Sequence, residues 1–357
     1  MTGPTTTRRS ALLSGAALAA AFAARANAQE LRPIRFGVGL RAMSAIVINT
    51  VIGETLGYHK AEGFALSALA LGTNANVQIA VDRGDVEFGI GTPSLQLPLL
   101  AQGQMPAAVD FYQYTYPYKW DVAVKPGSPI RSYADLKGKK VGVSDLGATD
   151  YPVTKTALRT IGVDPDAEVQ WIAVGNGVPA GVALQRGAID ALAYFDTGFG
   201  QIEAAGMPLE MLPRPEKLPM VGGQFLQCRK SFLSSDRRLA VGFGRSVAKA
   251  SYFILANPAA GAAAFLKMFP ETAPRGSSEA DAVKAIVASI SRRIKLYEPP
   301  YAGAKIGSIN PDELRQEAEL NGFKIADLGQ LYTNDLIAEI NDFDVAKVRA
   351  EAAAYRA

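Results

Sequence analysis

The chain has 357 residues, with 37 Lys and Arg against 34 Asp and Glu, one histidine and one cysteine. A net charge of +3 excludes the strongly basic footprint of a nucleic-acid-binding protein. The single cysteine, Cys228, excludes an intramolecular disulfide, and the single histidine, His59, excludes a histidine-rich metal site. No EF-hand spacing is present either. We therefore expect no metal and no cofactor, with Cys228 buried and His59 at the surface.

Residues 1–28 have the pattern of an export signal. Arg8 and Arg9 precede an apolar run, 11–24, that is too short to span a bilayer, and a small-residue cleavage site ends at Ala28. The paired arginines favour the twin-arginine route, with the general secretory route as the alternative. Cleavage leaves 34 basic and 34 acidic residues. We expect a freely diffusing periplasmic protein without a membrane anchor.

After the signal, the sequence contains two similar halves. The predicted strands IRFGVG and KKVGVS begin the two halves, and each leads through a loop into a helix. The strands FALSALAL and EVQWIAV come next, and each is followed by a second helix. The third strands lie in AVDRGDVEFGI and ALQRGAIDALA, where Gly84 and Gly187 fit the left-handed position after a helix end.

Each half therefore alternates strands and helices. Continuous apolar strands between amphipathic helices indicate an α/β fold with parallel sheets covered on both faces. Ligands of such sheets bind at the carboxyl ends of the strands. Two lobes facing each other at these ends enclose a cleft, and the loop SDLGATD, with Asp150 as a helix cap, forms one wall. This loop has neither of the glycine-rich patterns that bind nucleotide phosphates.

The stretch 109–130 is predicted to cross from the first lobe to the second. Aromatic side chains recur in it at a spacing of two: Tyr112, Tyr114, Tyr116, Tyr118 and Trp120. In one continuous strand, this spacing places all five on one face. The sequence GGQFLQCRKSFL is predicted to return as a strand to the first lobe, and two crossings make a hinge.

These patterns divide the chain into four parts. A signal at 1–28 precedes the first part of lobe one at 29–118, and lobe two occupies 119–222. The remaining residues, 223–357, complete lobe one and continue as helices to the end of the chain.

Three stretches resemble the NMT1/THI5-like group of periplasmic solute-binding proteins, which includes sulfonate, nitrate and taurine (SsuA/TauA-like) receptors. They are ETLGYHKAEGF at 54–64, SPIRSYADLKGKKVGV at 128–143 and ALQRGAIDALAYFD at 183–196, in the order and spacing of that group. The resemblance implies a type II periplasmic-binding-protein fold. This fold has two Rossmann-like lobes joined by a two-strand hinge, with C-terminal helices on lobe one.

The same resemblance implies a function. Such a protein is a monomer that delivers a small-molecule ligand to an inner-membrane ABC permease and its ATPase. The group also includes eukaryotic pyrimidine-synthesis enzymes with a cysteine-rich motif, which this chain lacks because Cys228 is its only cysteine. We therefore expect no enzymatic activity.

Candidate ligand contacts come from the loops at the strand ends and from the first crossing strand. They are Arg41, Met43, Ser44, Thr73, Asn74, Thr92, Ser94, Tyr114, Tyr116, Asp145, Gly147, Ala148, Thr149, Asn176, Tyr194 and Asp196. The short polar side chains among them stand at predicted helix starts, where helix capping alone also explains them.

The chemistry of these candidates favours a small organic ligand. Arg41 is the only cation in the six loops, and it either binds a carboxylate or sulfonate through two parallel hydrogen bonds or lies at a solvent-facing rim. Asp196 suits a donor-bearing group, and the tyrosines either stack on a flat ligand or pack in the core. Sulfonates, aromatic carboxylates and nitrogen heterocycles all remain open.

The sequence therefore predicts the substrate-binding component of an ABC importer. One alternative is an enzyme of the pyrimidine-precursor type on the same fold, for which Asp145 with Asp196 is the carboxylate pair to test. The other is a solute receptor for a TRAP-type permease or a sensor kinase.

Overall fold

The computed structural model describes residues 30–219 and 221–356. The predicted export signal and its cleavage site lie outside these residues. No helix in the described ranges is both long enough and apolar enough to cross a membrane.

Lobe one begins with four strands and the helices between them. The elements are β1 (Arg32–Val38), α1 (Ile48–Val51), α2 (Tyr58–Ala61), β2 (Phe64–Ala70), α3 (Asn74–Arg83), β3 (Phe88–Gly91), α4 (Pro93–Ala101) and β4 (Ala108–Thr115), with a 3-10 turn at Ala45–Val47. The predicted first helix is reduced to α1 and flanking turns, because the β-branched residues of the AIVINTVI stretch form helix poorly. Gly84 ends α3 with φ of 80°, as its pattern predicted.

Lobe two repeats this alternation. Its elements are β5 (Trp120–Val124), a 3-10 turn (Tyr133–Leu136), β6 (Lys140–Val143), α5 (Asp150–Arg159), β7 (Gln170–Ala173), α6 (Val178–Gln185), β8 (Ala191–Phe195), α7 (Asp196–Ala204) and β9 (Glu210–Met211). Gly187 has φ of 73°, which matches Gly84 in the first lobe. The internal repeat therefore appears in the backbone as well as in the sequence.

The chain then returns to lobe one. The remaining elements are β10 (Gln224–Arg229), α8 (Lys230–Ser235), α9 (Arg237–Ala256), α10 (Pro258–Met268), α11 (Glu279–Ile290), α12 (Pro311–Leu320), α13 (Ile337–Ile340) and α14 (Val345–Ala354), with 3-10 turns at Pro270–Thr272, Ile294–Leu296 and Leu328–Gln330. The return strand after Gly222 and the C-terminal helices are as predicted.

Each lobe contains one five-stranded sheet. The strand orders are β2-β1-β3-β10-β4 in lobe one and β7-β6-β8-β5-β9 in lobe two. Four strands of each sheet run in the same direction, and β10 and β5 are each antiparallel to both of their neighbours. The predicted parallel arrangement is confirmed for the three repeated strands of each lobe, whereas each sheet as a whole is mixed. Each reversed strand is the first strand after the chain crosses from one lobe to the other. It therefore starts at the hinge and runs in the direction opposite to the other strands of its sheet.

The predicted single face of aromatic side chains is also wrong. β4 ends at Thr115 in the first sheet, and β5 begins at Trp120 in the second. Tyr116 and Tyr118 lie in the segment between the strands. Pro117 interrupts the ladder, because proline has no N–H to donate.

A helix of the C-terminal part joins the two lobes. α11 packs against α7 of lobe two, and a Cβ atom on Gly200 would lie 2.7 Å from the Cα of Ser289. The Ser289 hydroxyl donates to the Thr197 carbonyl at 3.1 Å. One hydrophobic core accordingly runs from lobe one through Ile286 and Ile290 to Phe199.

Candidate ligand-binding cleft

The loops at the carboxyl ends of the strands meet between the two lobes. Arg41, after β1, donates to Asp145, after β6, with Nη2 and Oδ2 2.9 Å apart. Asn74, at the start of α3, donates through Nδ2 to the Thr149 hydroxyl at 2.6 Å. The walls predicted for the cleft therefore face each other and are in contact in this structure.

A small pocket lies where these loops meet. Its volume is about 30 Å³, which is room for roughly one water molecule. Five of the predicted contacts line it: Asn74, Tyr114, Ala148, Thr149 and Asn176. Gln224, at the start of β10, also lines it and was not predicted.

Two amide groups direct their donors at one oxygen in this inner pocket. Asn74 Nδ2 and Gln224 Nε2 lie 2.6 Å and 3.3 Å from Thr149 Oγ1. Asn74 Nδ2 also donates to the Thr92 hydroxyl at 3.1 Å. Donors from lobe one therefore converge on an acceptor that lobe two supplies.

Two hydrogen bonds to its amide oxygen hold the Gln224 side chain in this orientation. Its Oε1 atom accepts hydrogen bonds from the Tyr114 hydroxyl, at 2.6 Å, and from Lys119 Nζ. Lys119 is fully buried, with Nζ 4.6 Å from the centre of the Trp120 ring and 5.7 Å from that of Tyr114. Burial, reinforced by the nearby Arg293 charge, holds the pKa of Lys119 well below its usual value.

Lys119 is the functional candidate that the sequence analysis overlooked. The search for cations covered the six loops, but Lys119 lies in the segment that crosses between the lobes. A charged residue inside the aromatic stretch YTYPYKWDV was the available signal.

A second, larger space opens next to the inner pocket. This outer chamber has a volume of about 620 Å³ and shares Leu40, Asn176 and Phe195 with the inner pocket. The predicted contacts Arg41, Met43 and Ser44 line it. Its walls come from the loop after β1, from α7 and from α11, so both lobes and the C-terminal part contribute.

Asp196 is engaged by an arginine of the C-terminal part. Arg293 donates from Nε and Nη2 to the two carboxylate oxygens at 2.7 and 2.5 Å, and from Nη1 to the Ile46 carbonyl at 2.9 Å. Both side chains of this ion pair are buried. The Asp196 carboxylate is therefore held by Arg293, and Asp196, a predicted ligand contact, lines neither cavity in this structure.

Three other predicted residues line neither cavity. The Tyr194 hydroxyl bridges Gly175 and Gly177 of the loop after β7, at 3.0 and 2.6 Å. The Tyr116 hydroxyl donates to the Ser308 carbonyl at 3.0 Å. Ser94 is buried in α4 and does not line either cavity.

The remaining predicted residues surround the cleft. Thr73 caps α3, accepting from the Asn76 N–H at 3.2 Å. Thr92 precedes α4 and makes no capping bond, but accepts from Asn74 instead. Gly147 lies against Thr73, since a Cβ on Gly147 would be 3.5 Å from the Thr73 side chain. Capping and proximity to the cleft thus coexist at Thr73.

Asp150 stabilises the loop that forms the lobe-two wall. Its Oδ2 accepts from the Ser144 N–H at 2.7 Å and its Oδ1 from the Tyr151 N–H at 3.1 Å. Burial raises the pKa of Asp150 to about 7. The prediction of Asp150 as the helix N-cap is wrong, because the N-cap is Thr149 and Asp150 is the first residue of α5, with its carboxylate bonded back into the loop instead.

The single histidine and cysteine both lie in the core of lobe one. His59 stacks on Phe64, with ring centres 4.9 Å apart, and bonds to Glu54 at 3.1 Å. Its surface position was predicted wrongly, because the side chain is fully buried. Cys228 is buried as predicted, and burial raises the pKa of its thiol. Neither residue lines the inner pocket or the outer chamber.

Comparison with known proteins identifies the family. The family model described as NMT1/THI5 like matches residues 46–261. The chain belongs to the NMT1/THI5-like family. No curated protein matches the chain.

Solved structures share the fold of this family member. A protein from Bordetella bronchiseptica RB50 superposes with a TM-score of 0.68 at 22% identity, over 88% of this chain and 98% of that one. The periplasmic aliphatic sulphonate binding protein SsuA from Escherichia coli gives 0.61 at 20% identity, over 84% and 91%. The desulfurization enzyme DSZB gives 0.52 at 12% identity, over 87% and 98%. The predicted two-lobed α/β fold of periplasmic binding proteins is confirmed.

Proposed function

We propose that this protein is the periplasmic substrate-binding component of an ABC importer. Its ligand is a small organic molecule held between the lobes. The observation that carries the proposal is the convergence of donors from lobe one, on Asn74 and Gln224, upon Thr149 of lobe two. A ligand at this point contacts both lobes and the hinge side of the cleft together.

Closure of the lobes is the expected consequence of binding. In this structure the walls of the cleft are already in contact, and the inner pocket has a volume of only about 30 Å³. The lobes must therefore part to admit a head group of several heavy atoms and then close around it. A ligand stabilises the closed state only through its higher affinity for that state. We infer that a permease then recognises the ligand-closed form.

Oxyanion-bearing ligands are the first class to test. The fold similarity to the sulphonate-binding protein SsuA supports sulfonates, and the donors of the inner pocket suit carboxylates equally well. Nitrogen heterocycles belong in the same screen, because a ring nitrogen is also an acceptor.

An enzyme on the same fold is the second candidate, since DSZB shares the architecture. The carboxylate pair suggested by the sequence offers it little support. Asp145 pairs with Arg41, and Asp196 pairs with Arg293.

A thermal-shift screen of the purified protein tests the proposed function. We expect a compound present at 100 times its Kd to stabilise the folded protein by about 2.7 kcal/mol. The shift should fall in Asn74→Ala and Thr149→Val and persist in Thr154→Val, a buried threonine of α5 outside both cavities. A binder whose shift is the same in all three variants contradicts a site between the lobes.

A further inference from the structure

Helix α12 of the C-terminal part packs on lobe one through apolar side chains. Leu314 belongs to a buried cluster with Phe225 of β10. Ala318, one turn further along the helix, belongs to another cluster with Leu97 of α4. Moving α12 away from lobe one would expose these side chains to water, at a cost that grows with the apolar area. We therefore expect α12 to stay on lobe one when the lobes move.

The middle of α12 holds the segment that returns from lobe two to lobe one. Glu313 accepts a hydrogen bond from the Gly223 N–H at 2.9 Å, and Glu317 accepts one from the Gly222 N–H at 3.1 Å. Both glutamate side chains are buried. The helix is therefore fixed to one of the two segments about which the lobes turn.

The end of α12 reaches lobe two. Asn321, the residue after the helix, accepts from Arg159 Nη1 at 2.6 Å and donates through Nδ2 to the Thr156 hydroxyl at 2.9 Å. Arg159 and Thr156 both belong to α5. The Arg159 side chain is 32% exposed and Asn321 is only half-buried, so water can replace these bonds when they break.

The same helix of lobe two carries a wall of the cleft. Thr149, whose hydroxyl accepts from Asn74 and Gln224 of lobe one, is the N-cap of α5. Thr156 and Arg159 lie about 10–15 Å further along this helix. Because a hydrogen-bonded helix moves as one body, separation of α5 from Asn321 and separation of Thr149 from lobe one are expected to occur together.

Lobe two has a second contact with the C-terminal part, through α7. There Arg293 pairs with Asp196, both side chains are buried, and α11 packs closely on Gly200. Breaking a buried ion pair costs more than exchanging partly exposed neutral hydrogen bonds for bonds to water. A rotation that parts the cleft walls is therefore expected to release Asn321 and to leave α11 on α7.

We propose that α12 is a brace between the lobes, fixed on lobe one and released from lobe two at Asn321, and that this release controls how readily the cleft opens. While Asn321 is bonded to α5, the brace keeps the cleft walls together. When these bonds break, α5 moves away and Thr149 leaves Asn74 and Gln224. The brace acts on the lobes whether or not a ligand is bound, so it goes beyond the proposed capture of a ligand.

Thiol labelling measures the opening without a ligand. Thr149→Cys places a thiol between the lobes, at a position that is 1% exposed. The native Cys228 is fully buried in the sheet of lobe one, so it reacts only when that lobe unfolds and reports unfolding separately. Iodoacetamide is the reagent, and mass spectrometry of the two cysteine-containing peptides gives both rates. The rate is proportional to the open fraction when closing is faster than labelling.

Three further changes in the Thr149→Cys protein test the brace. Asn321→Ala removes the hydrogen bonds to lobe two and should raise the labelling rate of the introduced thiol about tenfold. Arg159→Leu should give a smaller increase, and combining it with Asn321→Ala should add nothing further, because both changes break the same contact. Gln316→Ala, exposed on α12, is the matched control and should leave the rate unchanged.

The result for Asn321→Ala decides the proposal. A labelling rate that stays the same, or that rises equally in Gln316→Ala, overturns the brace. A parallel rise at Cys228 also overturns it, because the lobe is then unfolding rather than parting from its neighbour. If Asn321→Ala does not fold, Arg159→Leu replaces it, and faster labelling of the introduced thiol alone supports the brace. Since no ligand is used, failure of the brace and failure of the receptor function are separate results.

Discussion

Two regions of the molecule bury ionisable side chains in opposite ways. In the first, Arg293 joins the C-terminal part to lobe two through a two-point ion pair with Asp196, and the charges cancel. In the second, where the chain crosses between lobes, the buried groups have no opposite charge bonded to them among the described residues. Lys119 bonds to an amide, and Glu313 and Glu317 bond to the N–H groups of the return crossing.

The two arrangements are expected to have different roles, one in stability and the other in the response to ligand and pH. A paired buried charge fixes two elements relative to each other, and removing one partner strands the other. A buried ionisable group without an opposite charge does not stabilise the fold, and its protonation responds to a charge or a change of pH near it. The clasp formed by Arg293 and Asp196 is therefore expected to govern stability, and the crossings are expected to respond to ligand and pH.

Breaking the clasp should have the largest effect on stability. Arg293→Met leaves the buried Asp196 carboxylate without its partner, which typically costs about 3–5 kcal/mol in the free energy of unfolding. Arg292→Met is the matched control, because its partner Glu203 and the arginine itself are both partly exposed. Urea denaturation measures both. Equal losses in the two variants would remove the distinction between the clasp and an ordinary surface pair.

The acidic pair at the return crossing should make stability depend on pH. Burial raises the pKa of Glu313 to about 8 and that of Glu317 to about 7, from 4.5. Between the unfolded and folded pKa values the folded protein holds protons that the unfolded chain has released, so stability falls as pH rises through this window. The expected slope is about 1.4 kcal/mol per pH unit for each proton.

Glu313→Gln should reduce the slope of stability against pH by the contribution of one proton. The Gly223 N–H keeps an acceptor. Gln113 now donates from Nε2 to both Glu313 oxygens, and a turn of its amide group brings Oε1, which has no partner among the described residues, to the new NH₂ group. Glu319→Gln, exposed on the same helix, should keep the wild-type slope. Denaturation at a series of pH values measures this, and an unchanged slope in Glu313→Gln contradicts the assignment of the proton.

Lys119→Met should lower the free energy of unfolding by no more than about 1 kcal/mol, because it replaces a buried ammonium group that has no ion-pair partner among the described residues by an apolar side chain of similar size. Gln224 Oε1 retains the Tyr114 hydroxyl as a donor. The contrast with Arg293→Met is the measured quantity, obtained from the same urea titrations. A loss of stability as large as that of Arg293→Met would show that Lys119 stabilises the fold as Arg293 does.

The rim pair should have the smallest effect. Arg41 is 71% exposed, and Asp145 is 26% exposed. Exposed pairs contribute about 0–1 kcal/mol, so Arg41→Ala should leave the midpoint of denaturation almost unchanged at physiological salt. A loss well above that range would show that the rim holds the lobes together without ligand.

Much of the fold was readable from the sequence because its signals are local and repeated. The matched glycines Gly84 and Gly187 and the apolar strands specify each half without reference to the other. The reversed strands β5 and β10 were not readable, since their direction depends on how the chain enters each lobe. The broken aromatic stretch was signalled only by Pro117.

The cleft was partly readable for the same reason. Strand-end loops follow from the topology, which brought Asn74 and Thr149 into the prediction. The partnership of Asp196 with Arg293 joins residues 97 positions apart, and that of Lys119 with Gln224 joins residues 105 apart. Such pairings arise from the packing of lobes and C-terminal helices, and no local pattern in the sequence encodes them.

Small-angle X-ray scattering of the purified protein, with and without a saturating ligand from the screen, tests the central claim most directly. If the two lobes close around the ligand, the radius of gyration falls on binding, and the fall is lost in Thr149→Val at the same ligand concentration. A radius of gyration that stays constant while calorimetry reports full occupancy contradicts closure between the lobes.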